Sequence, residues 1–159
     1  MRRLLLALSL LALLLLAAVH AHAQDDPRGW LFVGDIWLST RIDPLPIVGY
    51  EYDMDAIGQG VGWLEGTAWV TDDWARIVLA AHNTGAFARL REVERGMWVY
   101  VADWPHSTRV EGYRVTLVTL TTPDDVSWLQ PTPGETLTLI TCAGEGDALR
   151  LIVHAERAW

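Results

Sequence analysis

Beyond its first two dozen residues, the chain alternates apolar and polar positions at a period of two. That spacing puts successive side chains on opposite faces of a strand. Segments rich in Val, Ile, Leu, Thr, Trp and Tyr are punctuated by Pro, Gly and Asp, and each bounded segment predicts a strand. The predicted strands are 36–39, 47–48, 76–81, 97–102, 110–121, 137–142 and 149–155. Residues 76–81 form an almost wholly apolar run ending at His82, the pattern of a buried strand. One stretch departs from period two: Phe87, Leu90 and Val93 recur at a spacing of three, with Arg89, Arg91, Glu92 and Glu94 between and after them. This predicts a helix over 87–94, stopped by Gly96. Glycine- or proline-bearing loops fall at 58–62, 123–134 and 143–147. Strands dominate, so the pattern predicts an all-β barrel or sandwich with at most one or two short helices.

The first residues follow a different rule. Met1-Arg2-Arg3 is basic, residues 4–19 are apolar but for Ser9, and Ala21-His22-Ala23 has the small-x-small form of a cleavage site. This order predicts a secretory signal peptide over 1–23. The apolar run is short for a membrane span of about 20 residues, although an uncleaved leader would anchor the chain through residues 4–19. Either outcome places the domain outside the cytoplasm, secreted or held at the outer face of the cytoplasmic membrane. The domain division expected is leader 1–23, linker 24–35 and a single folded domain over 36–159.

Charge narrows the partners. The chain carries 20 acidic and 12 basic residues, a net charge of −8. An acidic domain argues against nucleic-acid binding, which needs basic patches opposite phosphates, and against a polybasic membrane-surface module. The basic residues are all arginine.

Cysteine count raises a question of chemistry. Exported proteins usually pair their cysteines or lack them, yet this chain has one, Cys142. It is either an inert thiol packed as a small hydrophobe or a nucleophile. Cys142 closes the strand Thr138-Leu139-Ile140-Thr141-Cys142 at the edge of a glycine-bearing turn. Alternation puts Thr138, Ile140 and Cys142 on one face and Leu139 and Thr141 on the other. His82 likewise ends a strand and opens the loop Asn83-Thr84-Gly85, a position suited to a general acid–base on a rigid element. His106 belongs to a hairpin tip, and His154 lies in the last strand, where a structural role is expected. Arg150 follows Cys142 by eight residues and starts the next strand. Antiparallel pairing across a short turn brings two such positions together, where a guanidinium can stabilise an oxyanion. Alone, Arg150 equally suits a surface position.

Other features carry less. Trp63, Trp69 and Trp74 suit a peptide groove or, more simply, packing on a β-scaffold. Asp72-Asp73 and Asp124-Asp125 suit solvated turns, being far short of the six or more oxygens calcium takes. Zinc-ligand spacing, a phosphate-binding glycine loop and a serine elbow are all missing from the sequence.

Taken together, three segments resemble a known family. Thr138-Leu139-Ile140-Thr141-Cys142 resembles the TLxTC motif of the sortases. Val78-Leu79-Ala80-Ala81-His82-Asn83 is similar to that family's histidine strand, and Arg150-Leu151-Ile152-Val153 to its arginine strand. The likeness runs from about Ile36 to the C-terminus. Ala81 replaces the commoner glycine, Asn83-Thr84 follows the histidine, and the 123–134 loop and the Cys–Arg turn are short. In this the chain looks more like the small housekeeping and orphan sortases of class D, E or F than class A.

The resemblance implies a closed eight-stranded barrel and a cysteine transpeptidase or hydrolase of the thiol-protease type. Cys142 would be the nucleophile, His82 the acid–base and Arg150 the oxyanion group. Ile140, Thr141, Ala81 and Asn83 would flank the substrate. The partners implied are a C-terminal sorting signal on an exported protein and an amine acceptor, from a cell-wall peptide or a protein lysine. No cofactor and no metal is implied. Two other readings stay open: a cysteine peptidase whose thioester is resolved by water, and a non-catalytic β-barrel binding module.

Overall fold

The computed structural model describes residues 27–72 and 75–158. The leader and Trp74 lie outside these residues. Ten strands form in chain order: β1 (Gly29–Val33), β2 (Leu38–Leu45), β3 (Ile47–Val48), β4 (Glu51–Tyr52), β5 (Val61–Leu64), β6 (Arg76–Ala80), β7 (Trp98–Ala102), β8 (Val110–Thr121), β9 (Thr136–Ala143) and β10 (Leu149–Arg157). Eight close into a barrel in the order β1-β2-β5-β6-β9-β10-β8-β7, and β3 pairs with β4 as a separate ribbon. The β2–β5 and β6–β9 pairs are parallel; the other barrel pairs are antiparallel. Closure removes the free sheet edges that otherwise invite aggregation.

Period-two alternation builds two apolar layers. Inward residues, among them Leu31, Val33, Ile42, Leu79, Leu137 and Leu139, fill the barrel. A second cluster lies outside it: Leu45, Leu64, Val78 and Ala80, with Ile140 packed against them, are covered by Ile57 and Met54 from a 3₁₀ turn (Met54–Ile57) and by Leu129. The faces of β9 follow from this. Leu137 and Leu139 point in, and Ile140 points to the outer layer, as the alternation predicts.

Three expectations need correction. The predicted linker 24–35 contains a barrel strand, β1, paired to β2 on one side and β7 on the other. Its sequence Gly29-Trp30-Leu31-Phe32-Val33 hides the alternation because its outward residues are aromatic; Trp30 and Phe32 stack at 6.4 Å. Gly29 must lack a side chain there, since a Cβ would meet the Ala102 carbonyl oxygen at 2.3 Å and the Trp69 ring at 2.7 Å. Ile36 lies in a 3₁₀ turn (Gly34–Ile36), and the strand predicted from it starts at Leu38. The predicted helix over 87–94 is a run of turns ending in a 3₁₀ turn (Leu90–Glu92). Phe87, Leu90 and Val93 are all buried, so the spacing identified the right face. A strict spacing of three matches the three residues per turn of a 3₁₀ helix rather than the 3.6 of an α-helix.

Candidate active site

Strand pairing brings the sequence-predicted residues to one end of the barrel. In the antiparallel β9–β10 pair, Arg150 is the direct partner of Cys142. In the parallel β6–β9 pair, Ala80 is the partner of Ile140. The register continues one residue further: the Ala81 N–H donates to the Ile140 carbonyl at 3.3 Å, and Thr141 Oγ1 donates to the Ala81 carbonyl at 2.7 Å. The next residues on the two chains are His82 and Cys142. Ala80 and Ile140 share the outer layer, so period two sends His82 and Cys142 to that same outer face. Cys142, His82 and Arg150 are each half-buried, open to solvent yet held by the barrel.

Each side chain is anchored differently. His82 Nε2 lies 3.1 Å from the Met54 carbonyl oxygen. A carbonyl only accepts, so this contact calls for the proton on Nε2. Arg150 donates from Nη1 to the carbonyls of Asp147 and Leu149, both at 3.0 Å. These are neutral acceptors, so the guanidinium keeps its full charge and its remaining N–H donors. The 3₁₀ turn between β9 and β10 (Glu145–Asp147) is tied to the histidine loop: Asn83 Nδ2 donates to Asp147 Oδ1 at 2.8 Å.

Two cavities meet this constellation. One, of about 150 Å³, is an apolar groove on the outer face, walled by Ala80, Ile140, Ile152, Leu64, Trp128 and Arg150. The other, of about 280 Å³, is more polar and is lined by Asn83, Arg91, Thr141, Cys142, Gly144 and Leu151. Of the residues predicted to flank substrate, Ile140 lines the groove, Thr141 and Asn83 line the polar pocket, and Ala81 is buried with its carbonyl engaged by Thr141.

The far wall of the groove comes from the segment between β8 and β9, and sequence reasoning missed its organising residue. Asp125 accepts hydrogen bonds from Thr121 Oγ1 (2.6 Å), Ser127 Oγ (2.5 Å), the Ser127 N–H (3.2 Å) and Trp128 Nε1 (3.1 Å). The hydrogen bonds from Ser127 and then Thr121 hold its carboxyl down at about 2. The available signal was Asp125 two residues before Ser127, an acid capping the turn that follows (Val126–Leu129). That turn lays Trp128 against His154, ring centroids 5.9 Å apart, and under Arg76 at 5.8 Å. Burial, then the charge of Arg76, pushes His154 below its ordinary value, which fits the structural role expected of it. Trp63 and Trp69 pack edge to face at 5.9 Å and hold the Arg28 guanidinium at 4.8 and 4.9 Å. They are packing residues rather than a groove. Among the described residues, no group of three or more His, Cys, Asp or Glu side chains is placed to hold a metal ion.

A family model described as Sortase domain matches residues 40–158. The chain belongs to the sortase family. It is 38% identical over 87 residues to Sortase A of Streptococcus agalactiae serotype III, an alignment covering 49% of this chain and 34% of that protein. The chain therefore spans about a third of the curated relative it matches. Among solved sortases, the pilus-related Sortase C of Group B Streptococcus has a TM-score of 0.72 at 24% identity, covering 85% of this chain and 69% of that one. Sortase A from Corynebacterium diphtheriae has the same TM-score at 23% identity, with 84% and 61% covered. The Sortase D5 transpeptidase of Clostridium perfringens gives 0.71 at 22% identity, with 84% and 80% covered. At these identities the solved structures establish the barrel fold, and their near-equal scores across sortases A, C and D5 leave the class undivided.

Proposed function

We propose that this sortase-family chain is a cysteine transpeptidase acting outside the cytoplasmic membrane. The observation carrying this reading is the cross-strand pairing of Cys142 with Arg150 at the strand end that His82 also reaches. The Cys142 thiolate attacks the carbonyl carbon of a peptide bond in a sorting signal near a partner protein's C-terminus. The resulting oxyanion is stabilised by Arg150 N–H donors, a contribution that grows as charge develops. The tetrahedral intermediate collapses to a thioester; the C–N bond breaks and the leaving amine takes a proton from His82. An incoming amine then attacks the thioester, His82 takes its proton, and Cys142 leaves as thiolate while a new amide forms. The apolar groove beside Arg150 receives the acyl side of the peptide, on a floor that includes Ile140. The acceptor is an amine of a cell-wall peptide or a protein lysine. Residues 1–23 export the chain, and, where they are retained, residues 4–19 hold it at the outer face of the membrane. The short β9–β10 turn and compact β8–β9 segment support a place among the small class D, E or F sortases.

The test is capture of the acyl-enzyme. Incubated with a library of C-terminal sorting peptides and no amine, the wild-type chain gains the mass of the acyl fragment on Cys142. Added amine releases that fragment as a new amide. Cys142→Ala, folded by circular dichroism, gains nothing. Product formation by Cys142→Ala at the wild-type rate would refute the reading, and release only as a free acid would identify a hydrolase instead.

A further inference from the structure

Cys142 and Arg150 are cross-strand partners, yet they line different cavities. Arg150 opens into the apolar groove, and Cys142 into the polar pocket. In a transpeptidation the second substrate must reach the thioester while the acyl chain still fills its own site. A pocket that Cys142 lines, apart from the groove that Arg150 lines, supplies that route. We propose that the polar pocket is the acceptor site, and that Arg91 makes it selective for amines that carry a carboxylate a few bonds away. This rests on the transpeptidase reading above.

Arg91 acts on the nearby Glu92 only through its field and makes no direct ion pair with it. Arg91 is exposed on the pocket rim. The neighbouring carboxylate, Glu92, is held by Arg89, with Nη2 to Oε2 at 2.6 Å and Nε to Oε1 at 3.0 Å. No carboxylate among the described residues lies within ion-pair distance of Arg91. Asn83, which lines the pocket, donates from Nδ2 to Asp147 in the β9–β10 turn, and that bond leaves the Asn83 amide oxygen as an acceptor for an amine N–H. The pocket thus offers a fork of donors for a carboxylate and a neutral oxygen for an amine, in the same cavity that Cys142 lines. In a chain of net charge −8 a guanidinium with no direct carboxylate partner is an uncommon invitation to an anion. The volume of about 280 Å³ suits an acceptor of one or two residues.

The measurement is a competition between matched acceptors, glycine against glycinamide and diglycine against diglycinamide, compared at equal concentrations of free base. Acylation of each variant by the donor peptide alone is followed by mass spectrometry. The wild-type chain is expected to show a lower KM for each carboxylate acceptor than for its amide, on the order of five-fold. Arg91→Ala should bring the two KM values together, and Arg91→Glu should invert their order. If the acyl adduct forms but the carboxylate-to-amide ratio is the same in the wild type and both Arg91 variants, the acceptor assignment is wrong and the transpeptidase reading survives. If no adduct forms with any donor peptide, both fail.

Discussion

The two ends of the β9–β10 pair treat their arginines in opposite ways. At the far end, Arg157 meets two carboxylates: it pairs with Glu111 at 2.7 Å and also with Glu135. Arg109 pairs with the same Glu111 and approaches Glu135 at 4.0 Å. Glu111 is only 4% exposed. Burial, then the nearby Glu135 and Glu111 carboxylates, lifts the Tyr113 hydroxyl well above its ordinary value. At the near end, the hydrogen bonds of Arg150 among the described residues go only to backbone carbonyls. Charges of one end cancel within the fold; the charge of the other is left for something that arrives. On the proposed mechanism, the same residue type on the same strand serves stability at one end and chemistry at the other.

Substitutions can separate the two ends. The largest effect expected is on activity at the near end. Arg150→Ala should lower kcat/KM by about 10²- to 10³-fold, the usual cost of an oxyanion donor, with Arg150→Lys recovering only part. Thermal unfolding of both should stay close to wild type, because no carboxylate is stranded. A large drop in melting temperature for Arg150→Ala would erase the contrast. Next comes Glu111→Ala at the far end, which leaves two arginines sharing the one remaining carboxylate, Glu135. Breaking a buried ion pair costs about 3–5 kcal/mol, reduced here to roughly 2–4 because both guanidiniums are exposed to solvent. The arginine side chains are 34% exposed. Denaturant unfolding should show that loss, with a fall in Tm of roughly 10 °C, while the folded fraction keeps its activity.

The smallest effect lies midway along β10. His154 is held below the ordinary histidine value of 6.5, chiefly by burial. The unfolded chain therefore takes up a proton more readily than the folded one. The contribution of this residue to stability is complete above pH 6.5 and is lost as pH falls below that value and through the folded one. His154→Gln should flatten the acid side of the stability–pH curve, read by urea unfolding between neutral and mildly acidic pH. An unchanged slope would mean that some other group sets it.

Much of this arrangement was legible in the residues alone. Strand β8 was predicted residue for residue, and β6, β9 and β10 within two, because their inward and outward positions differ in polarity. The Cys142–Arg150 pairing followed from an eight-residue separation across a short turn. What stayed hidden has physical causes. Strand β1 carries aromatic residues on its outward face and aliphatic ones inside, so polarity gave no alternation to read. The 87–94 segment showed the right buried face, but its spacing of three was taken for an α-helix. The groove wall depends on Asp125 gathering four donors from three residues, a convergence that only the folded chain displays. Arg91, in turn, is notable only because its neighbour Glu92 is already claimed by Arg89, which the sequence order of the three does not reveal.

The parallel pairing of β6 with β9 also fixes which lengths of chain evolution is free to edit. Insert a single residue anywhere from 137 to 141 and every later position of β9 changes sides, so the sulfur would turn inward among Leu79 and Leu151 instead of toward the outer face. Added residues in the 144–148 turn carry no such parity constraint, provided β10 re-enters in phase. Variation in length among related chains should therefore be crowded into that turn and be missing from the strand that leads to it.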